Sequence, residues 1–227
     1  MDVNRVQKDI IGKGFTSFVD EAKQVEDASR VDKIWYLSYG SNLSLDRFMC
    51  YVAGGVPVGS SRLYYGCRDK SKPLKSEGVV FKGSMFYAGE SQQWGGGGFS
   101  FVDFNVDSLV LGRMYLITCE QFEDLVAQEC GGEAGEVSID FDQLIRDGRI
   151  VDDGLYGHMV HVCDYEGMPV VSFTTSFTLG DIVTGESYLK LNKPSEAYCN
   201  VVRNGVMEAF GISVDDADEY VVNRIGF

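Results

Sequence analysis

The sequence predicts an α+β fold, a mixed, closed or nearly closed β-barrel-like sheet flanked by helices. Three observations lead there. Strand-like runs crowd the middle of the chain, helical patterns occupy both ends, and 227 residues with 44% hydrophobic and 12% aromatic content suffice for a substantial core.

Residues 1–33 place Val3, Val6, Ile10, Phe15, Phe18, Ala22 and Val25 at roughly helical spacing, with Gly12 and Gly14 interrupting. This predicts a broken helical N-terminal extension (1–33) ahead of a domain spanning 34–227, an extension that can pack on the domain or on a partner subunit in a homo-oligomer. The domain opens with a strand, Ile34-Trp35-Tyr36-Leu37, which runs into the loop Tyr39-Gly40-Ser41-Asn42-Leu43 and a helix over Ser44 to Val52. Strand-like runs follow at Arg62 to Cys67, Val79 to Phe81, Met85 to Tyr87 and Phe99 to Phe104. The glycines Gly95 to Gly98 mark a bend or a close approach of backbone. Gly112 to Ile117 is the next strand, and the Thr118-x-x-Gln121 spacing fits a capping box that opens a helix. Residues 138–147 read as a short acidic helix closed by Gly148, His158 to Asp164 and Pro169 to Phe177 as a hairpin, and Leu179 to Asn192 as loop. Pro194-Ser195 opens a helix stopped at Gly211, and a last helix covers about Val214 to Asn223.

Charge excludes some partners. With 20 Lys plus Arg against 34 Asp plus Glu, the formal charge is -14, and no basic run is present to neutralise phosphates, so nucleic acid and anionic membranes are poor partners. The N-terminus lacks a basic flank followed by an apolar core, which points to the cytoplasm. Cys50, Cys67, Cys119, Cys130, Cys163 and Cys199 are scattered without a C-x-x-C pair, as expected of reduced thiols packed as small hydrophobes. The histidines His158 and His161 fall in a β-rich run that would send their rings to opposite faces, so no metal site is predicted.

The loop after the first strand carries the chemistry. Gly40 allows a backbone conformation closed to other residues and lets a ligand approach the main chain, while Ser41, Asn42 and Ser44 cap the following helix. Successive N–H groups there can point at one carboxylate. The same residue types also build plain capped turns. Further on, Phe122, Leu125, Val126 and Glu129 share one helical stripe, so Glu129 is either a carboxylate at the end of a core-facing stripe or the exposed helix end before Gly131-Gly132.

Four separated segments are together similar to the gamma-glutamylcyclotransferase-like family: Trp35 to Leu43 with its YGSNL loop, Trp94 followed by glycines ahead of an alternating strand, Gly112 to Glu129 as a strand and a helix ending in a glutamate, and Pro194 to Tyr198 with Gly205. Order and separation agree over about residues 34–211. Two features depart from the family pattern. Cys130 stands between Glu129 and Gly131, and the stretch between the helices at 120–147 is longer than in the small eukaryotic enzymes.

The resemblance implies a cyclotransferase acting on a small gamma-glutamyl compound without a cofactor. The Gly40, Ser41, Asn42 and Leu43 amides would hold the alpha-carboxylate, Tyr39 and Tyr198 would position the substrate, and Glu129 would be the acid/base as the alpha-amine closes a lactam and expels an amine or amino acid. The alternative on the same fold is a non-catalytic module for a small carboxylate ligand. A metal-dependent amide hydrolase such as a deacetylase fits badly, because the two histidines make no open zinc site, and neither sits in a nucleophile motif.

Overall fold

The computed structural model describes residues 5–18, 31–152 and 154–227. Val3, Ala22 and Val25 of the expected N-terminal helical pattern lie outside the described residues. What is described of that segment is a helix, α1 (Arg5–Gly12), and then a strand, β1 (Thr16–Phe18). The break expected at the glycines is therefore a change of element, made at Gly14 with φ of 85°.

The domain continues as β2 (Lys33–Ser38), α2 (Leu45–Ala53), β3 (Lys75–Lys82), β4 (Ser84–Ala88), β5 (Phe99–Asp103) and β6 (Leu109–Thr118). Next come α3 (Cys119–Glu129), α4 (Phe141–Asp147), β7 (Arg149–Val151), β8 (His158–Tyr165), β9 (Met168–Thr174), α5 (Leu179–Thr184), α6 (Glu196–Phe210) and α7 (Val214–Val222). The class is α+β, as the sequence predicts.

The sheet corrects the expectation of a closed or nearly closed barrel. Seven strands form one open sheet in the order β1-β3-β6-β2-β9-β8-β7, and β4 and β5 pair apart from it as a two-stranded sheet. Both edges are strands of 3 residues, too short to close a cylinder on each other. Nor does β5 bridge the gap: the Val102 N–H donates to Thr174 Oγ1 at 3.1 Å, and that hydroxyl donates to Val102 O at 2.9 Å, so a side chain stands where a ladder would run. The run Arg62 to Cys67 is likewise not a strand, since only Tyr64 pairs there, with Gly55.

At the centre of the sheet, β2 runs antiparallel to β6 and parallel to β9. Its residues are buried on both faces from Ile34 to Ser38, which explains the unbroken apolar run in the sequence. Trp35 and Leu37 join a core containing Val202, Val206 and Phe210 of α6 together with Tyr220 of α7. Ile34 and Tyr36 face the opposite core, with Phe48 and Tyr51 of α2 and Phe122 and Leu125 of α3. In that second core Phe48 stacks on Tyr115 at 4.1 Å between centroids and Tyr36 on Phe173 at 5.4 Å, each pair contributing on the order of 1 kcal/mol beyond its buried area. Both helices α2 and α3 are thereby pinned beside the end of β2. No helix among the described residues is long and apolar enough to cross a membrane.

Candidate active site

Where β2 ends, the chain makes a 3-10 turn over Ser41–Leu43 and then enters α2, whose N-cap Ser44 accepts from the Arg47 N–H. The loop is packed tightly. Gly40 lies outside the left-handed region, at φ of -112° and ψ of -137°, and the space around it demands a glycine. A Cβ there would collide with Ser100 Oγ and lie 3.1 Å from Tyr198 Oη. Leu43 points into the core and its N–H donates to Gly40 O at 3.0 Å, which takes it out of any anion cradle.

Asn42 connects the loop to the far end of α3. Its Nδ2 donates to Glu129 Oε1 at 3.1 Å and to Tyr36 Oη at 3.1 Å, while its carbonyl accepts from Tyr115 Oη at 2.8 Å. Glu129 reaches this position because α3 lies flat on the core through Phe122, Leu125 and Val126, the stripe visible in the sequence. The helix end is held by Gln128, whose Nε2 donates to Tyr51 O at 3.1 Å, and by Arg62, whose Nη2 donates to Gln128 O at 3.0 Å. The capping box of Thr118 and Gln121 fixes the other end.

Tyr39, Gly40, Ser41, Asn42, Glu129 and Tyr198 line a single cleft of about 390 Å³, part of it open to solvent. Leu43 is the one expected site residue absent from its wall. Tyr39 is positioned by its hydroxyl, which donates to Phe173 O at 2.8 Å. Tyr198, near the start of α6, shares a 2.6 Å hydrogen bond with Ser100 Oγ and meets the Trp94 ring edge-on at 5.6 Å.

Burial pushes the Glu129 carboxyl above the ordinary carboxylate range, opposed in turn by the Arg47 cation, by hydrogen bonds from Tyr51 and Asn42, and by Arg62. Burial also raises the Tyr36, Tyr39 and Tyr198 hydroxyls, so these phenols remain protonated donors at neutral pH. The cleft thus joins one carboxylate of elevated proton affinity to a wall of neutral hydroxyls and one buried cation. Such an arrangement can exchange a proton with a bound amine or amide and orient it through hydrogen bonds.

Arg47, Gln93, Ser100 and Tyr156 also line the cleft, though nothing in the sequence reading singled them out. For Arg47 a signal existed. It stands in the first turn of α2, where the helix dipole disfavours a cation, so a reason beyond helix stability is required. Among the described residues no group of three or more His, Cys, Asp or Glu side chains is arranged to hold a metal.

No family model matches the sequence. A curated relative, Histone deacetylase 5 of Arabidopsis thaliana, is 31% identical over 207 residues, covering 86% of this chain and 31% of that protein. The chain therefore spans about a third of the length of the curated relative it matches. Among solved structures, one named gamma-glutamyl cyclotransferase has a TM-score of 0.46 at 14% identity, and an uncharacterized Homo sapiens protein has 0.45 at 14%. Each covers 83% of this chain, and 86% of its own chain is covered. In arrangement of its backbone the chain is similar to these two proteins, and in sequence to about a third of the plant relative.

Proposed function

We propose that this chain is a cyclotransferase that releases 5-oxoproline from a small gamma-glutamyl compound. The observation that carries the reading is the 3.1 Å hydrogen bond between Asn42 of the YGSNL loop and Glu129, which unites the two separate motifs in one cleft. Gly40, Ser41 and Asn42 supply the main chain beside which the glutamyl alpha-carboxylate would lie; the Leu43 amide is already spent in the turn. Glu129 takes a proton from the alpha-ammonium, the freed amine attacks the gamma-carbonyl, Glu129 returns that proton to the leaving nitrogen as the gamma-amide bond breaks, and the ring nitrogen sheds its second proton, which the released amine takes up as the lactam closes. A raised carboxyl suits both halves of that exchange, because it holds a proton more readily than an ordinary carboxylate does. Holding amine and carbonyl together in a narrow cleft supplies the remaining advantage, the entropy of a reaction within one molecule. No step calls on a cofactor.

A second reading is a binding module for a small carboxylate ligand. Its support is the match to one third of a much longer protein of a different name, the setting in which an appended domain serves as a receptor. A deacetylase role for this chain has less support. His158 and His161 lie on β8 away from the cleft, and His161 Nε2 is 2.9 Å from Asp164 Oδ1.

The deciding experiment is a panel of gamma-glutamyl dipeptides, glutathione and gamma-glutamyl amines assayed for 5-oxoproline, repeated with Glu129→Gln. Turnover by the natural chain and its loss in a folded variant are expected. Turnover unchanged by the substitution would remove Glu129 from the chemistry, and binding with no product from any compound would favour the receptor.

A further inference from the structure

Glu129 stands where its charge is opposed twice. It is the last residue of α3, at the end where the helix dipole disfavours an anion, and burial disfavours ionisation further. These two effects alone favour the protonated form, which cannot act as a base. A cation in direct contact would do the reverse, holding the carboxylate ionised and keeping it from returning a proton. Acid/base work calls for a cation near enough to be felt and too far to pair.

Arg47 occupies such a place. It lines the same cleft as Glu129 and is 3% exposed, yet among the described residues no ion pair within 4.0 Å joins it to a carboxylate. Aromatic rings hold it instead. The guanidinium lies 4.0 Å from the centroid of the Tyr51 ring, 4.7 Å from that of Tyr64 and 5.9 Å from that of Trp94, and Nη2 donates to Tyr64 Oη at 3.1 Å. Nε and Nη1 are buried without an acceptor, so no partner within the protein cancels the charge. Tyr51 follows one turn later on α2, carries the cation on its ring face and hydrogen-bonds through its hydroxyl to Glu129. A cation on that face makes the phenol a stronger donor to the carboxylate.

The other groups around Glu129 do not compete. Burial raises the phenols Tyr36 of β2, Tyr39 of the loop, Tyr156 and Tyr198, so they stay neutral. The Tyr51 hydroxyl is raised in the same way, as is the Cys130 thiol next along the chain. Among the described residues no second carboxylate lines the cleft. Arg62 is the other cation that Glu129 feels, but it spends Nη2 on Gln128 O at 3.0 Å and lines a separate outer cavity beside Glu133.

We propose that Arg47 is a positioning residue for Glu129: caged at a distance and acting across Tyr51, it keeps the carboxyl able both to take up and to return a proton near neutral pH. What the proton is used for rests on the cyclotransferase reading of this cleft, while the coupling of Arg47 to Glu129 does not. Arg47 itself makes and breaks no bond.

The test is a titration of the Glu129 carboxyl by carbon-13 NMR in the full chain, its signal identified by its disappearance in Glu129→Gln. Removing the charge in Arg47→Gln, or in Arg47→Met, whose flexible thioether suits an aromatic cage, should raise the midpoint by about 1 unit, roughly a tenfold gain in proton affinity. Arg47→Lys, which keeps a cation, should restore part of the difference. The rising limb of kcat/KM for 5-oxoproline release from gamma-glutamyl-L-alanine should move to higher pH by the same amount, with activity recovering on the alkaline side. Lost packing alone would lower activity at every pH and leave the midpoint in place. A midpoint unmoved or lowered in the neutral variants overturns the proposal. Should neither neutral variant fold, the natural chain decides: a Glu129 midpoint between about 5 and 8 supports the proposal, and one outside that range overturns it. If no 5-oxoproline is released, the cyclotransferase reading fails for this compound, and the NMR midpoints alone judge the coupling.

Discussion

Glu129 ends α3 in surroundings that disfavour its charge, and this gives its replacement two opposite effects. Its proton affinity is raised in the folded chain, so the folded state favours the protonated form; the associated stability is full below the ordinary carboxylate range and is lost as pH rises through the elevated value. Glutamine is the uncharged mimic and cannot ionise. Glu129→Gln should therefore unfold at a higher temperature than the natural chain at neutral pH, and the gap should shrink as pH falls towards 4.5 and below; a gap that widens on acidification contradicts the assignment. On the proposed cyclotransferase mechanism, 5-oxoproline release by the natural chain should show a rising limb of kcat/KM with pH whose midpoint exceeds 4.5, since Glu129 must then be free to accept a proton. At this scale the sequence was informative where a residue belonged to a pattern. Tyr39 to Asn42 and Glu129 stand in recognisable frames, and the structure brings them together. Ser100 and Tyr156 enter the cleft through long-range packing of a strand and a loop, and a single position in such a segment carries no periodic mark.

Among elements, α6 shows how the loop is held. Gly205 sits in the interior of this helix, where alanine would be a better helix former by about 1 kcal/mol. The helix nevertheless needs glycine, because a Cβ at this position would meet the Ser44 nitrogen and stand 2.5 Å from the Leu43 carbonyl carbon, backbone atoms that cannot swing aside. Steric displacement, typically about 1–3 kcal/mol in a packed interior, outweighs the propensity gain. Gly205→Ala should thus lower the denaturant midpoint and, by moving the loop, reduce 5-oxoproline release further than stability alone explains; a variant more stable than the parent would show that α6 has room to retreat. Element ends were the most legible feature of the sequence. Thr118, Ser195 and Ser44 cap as predicted, Gly148 and Gly211 close helices in the left-handed conformation, and Glu166-Gly167 turns the β8–β9 hairpin with both residues at positive φ. These signals are local, so they survive without knowledge of the rest. Sheet closure is not local. Whether β5 pairs with β9 or is intercepted by Thr174 depends on two segments 72 residues apart, and their composition is the same in either arrangement.

Across the whole molecule, the open question is whether the segment ahead of β2 is an appendage or part of the cooperative fold. Its contacts argue for the second. Ile10 is fully buried and Val6 nearly so, both within the core formed by α6 and α7. The Gln7 side chain donates to Leu109 O at 3.3 Å, Phe15 packs on Phe210 at 5.2 Å between centroids, and β1 extends the large sheet by pairing parallel with β3. Arg5 adds hydrogen bonds of 2.8 Å to both Asp216 and Glu219 of α7, but its side chain is 50% exposed, where water and salt screen such pairs. Apolar burial should therefore dominate. Ile10→Ala is expected to destabilise the entire domain by about 2–5 kcal/mol, the range for an emptied core site, and to do so in one transition seen alike by near-UV and far-UV circular dichroism. Arg5→Ala should move the midpoint far less. An independent appendage would behave otherwise: Ile10→Ala would then leave the main transition in place and create a separate, earlier one. Because β1 also covers the outer edge of β3, loosening α1 should expose that edge, and the variant should show concentration-dependent association in sedimentation experiments that the natural chain does not.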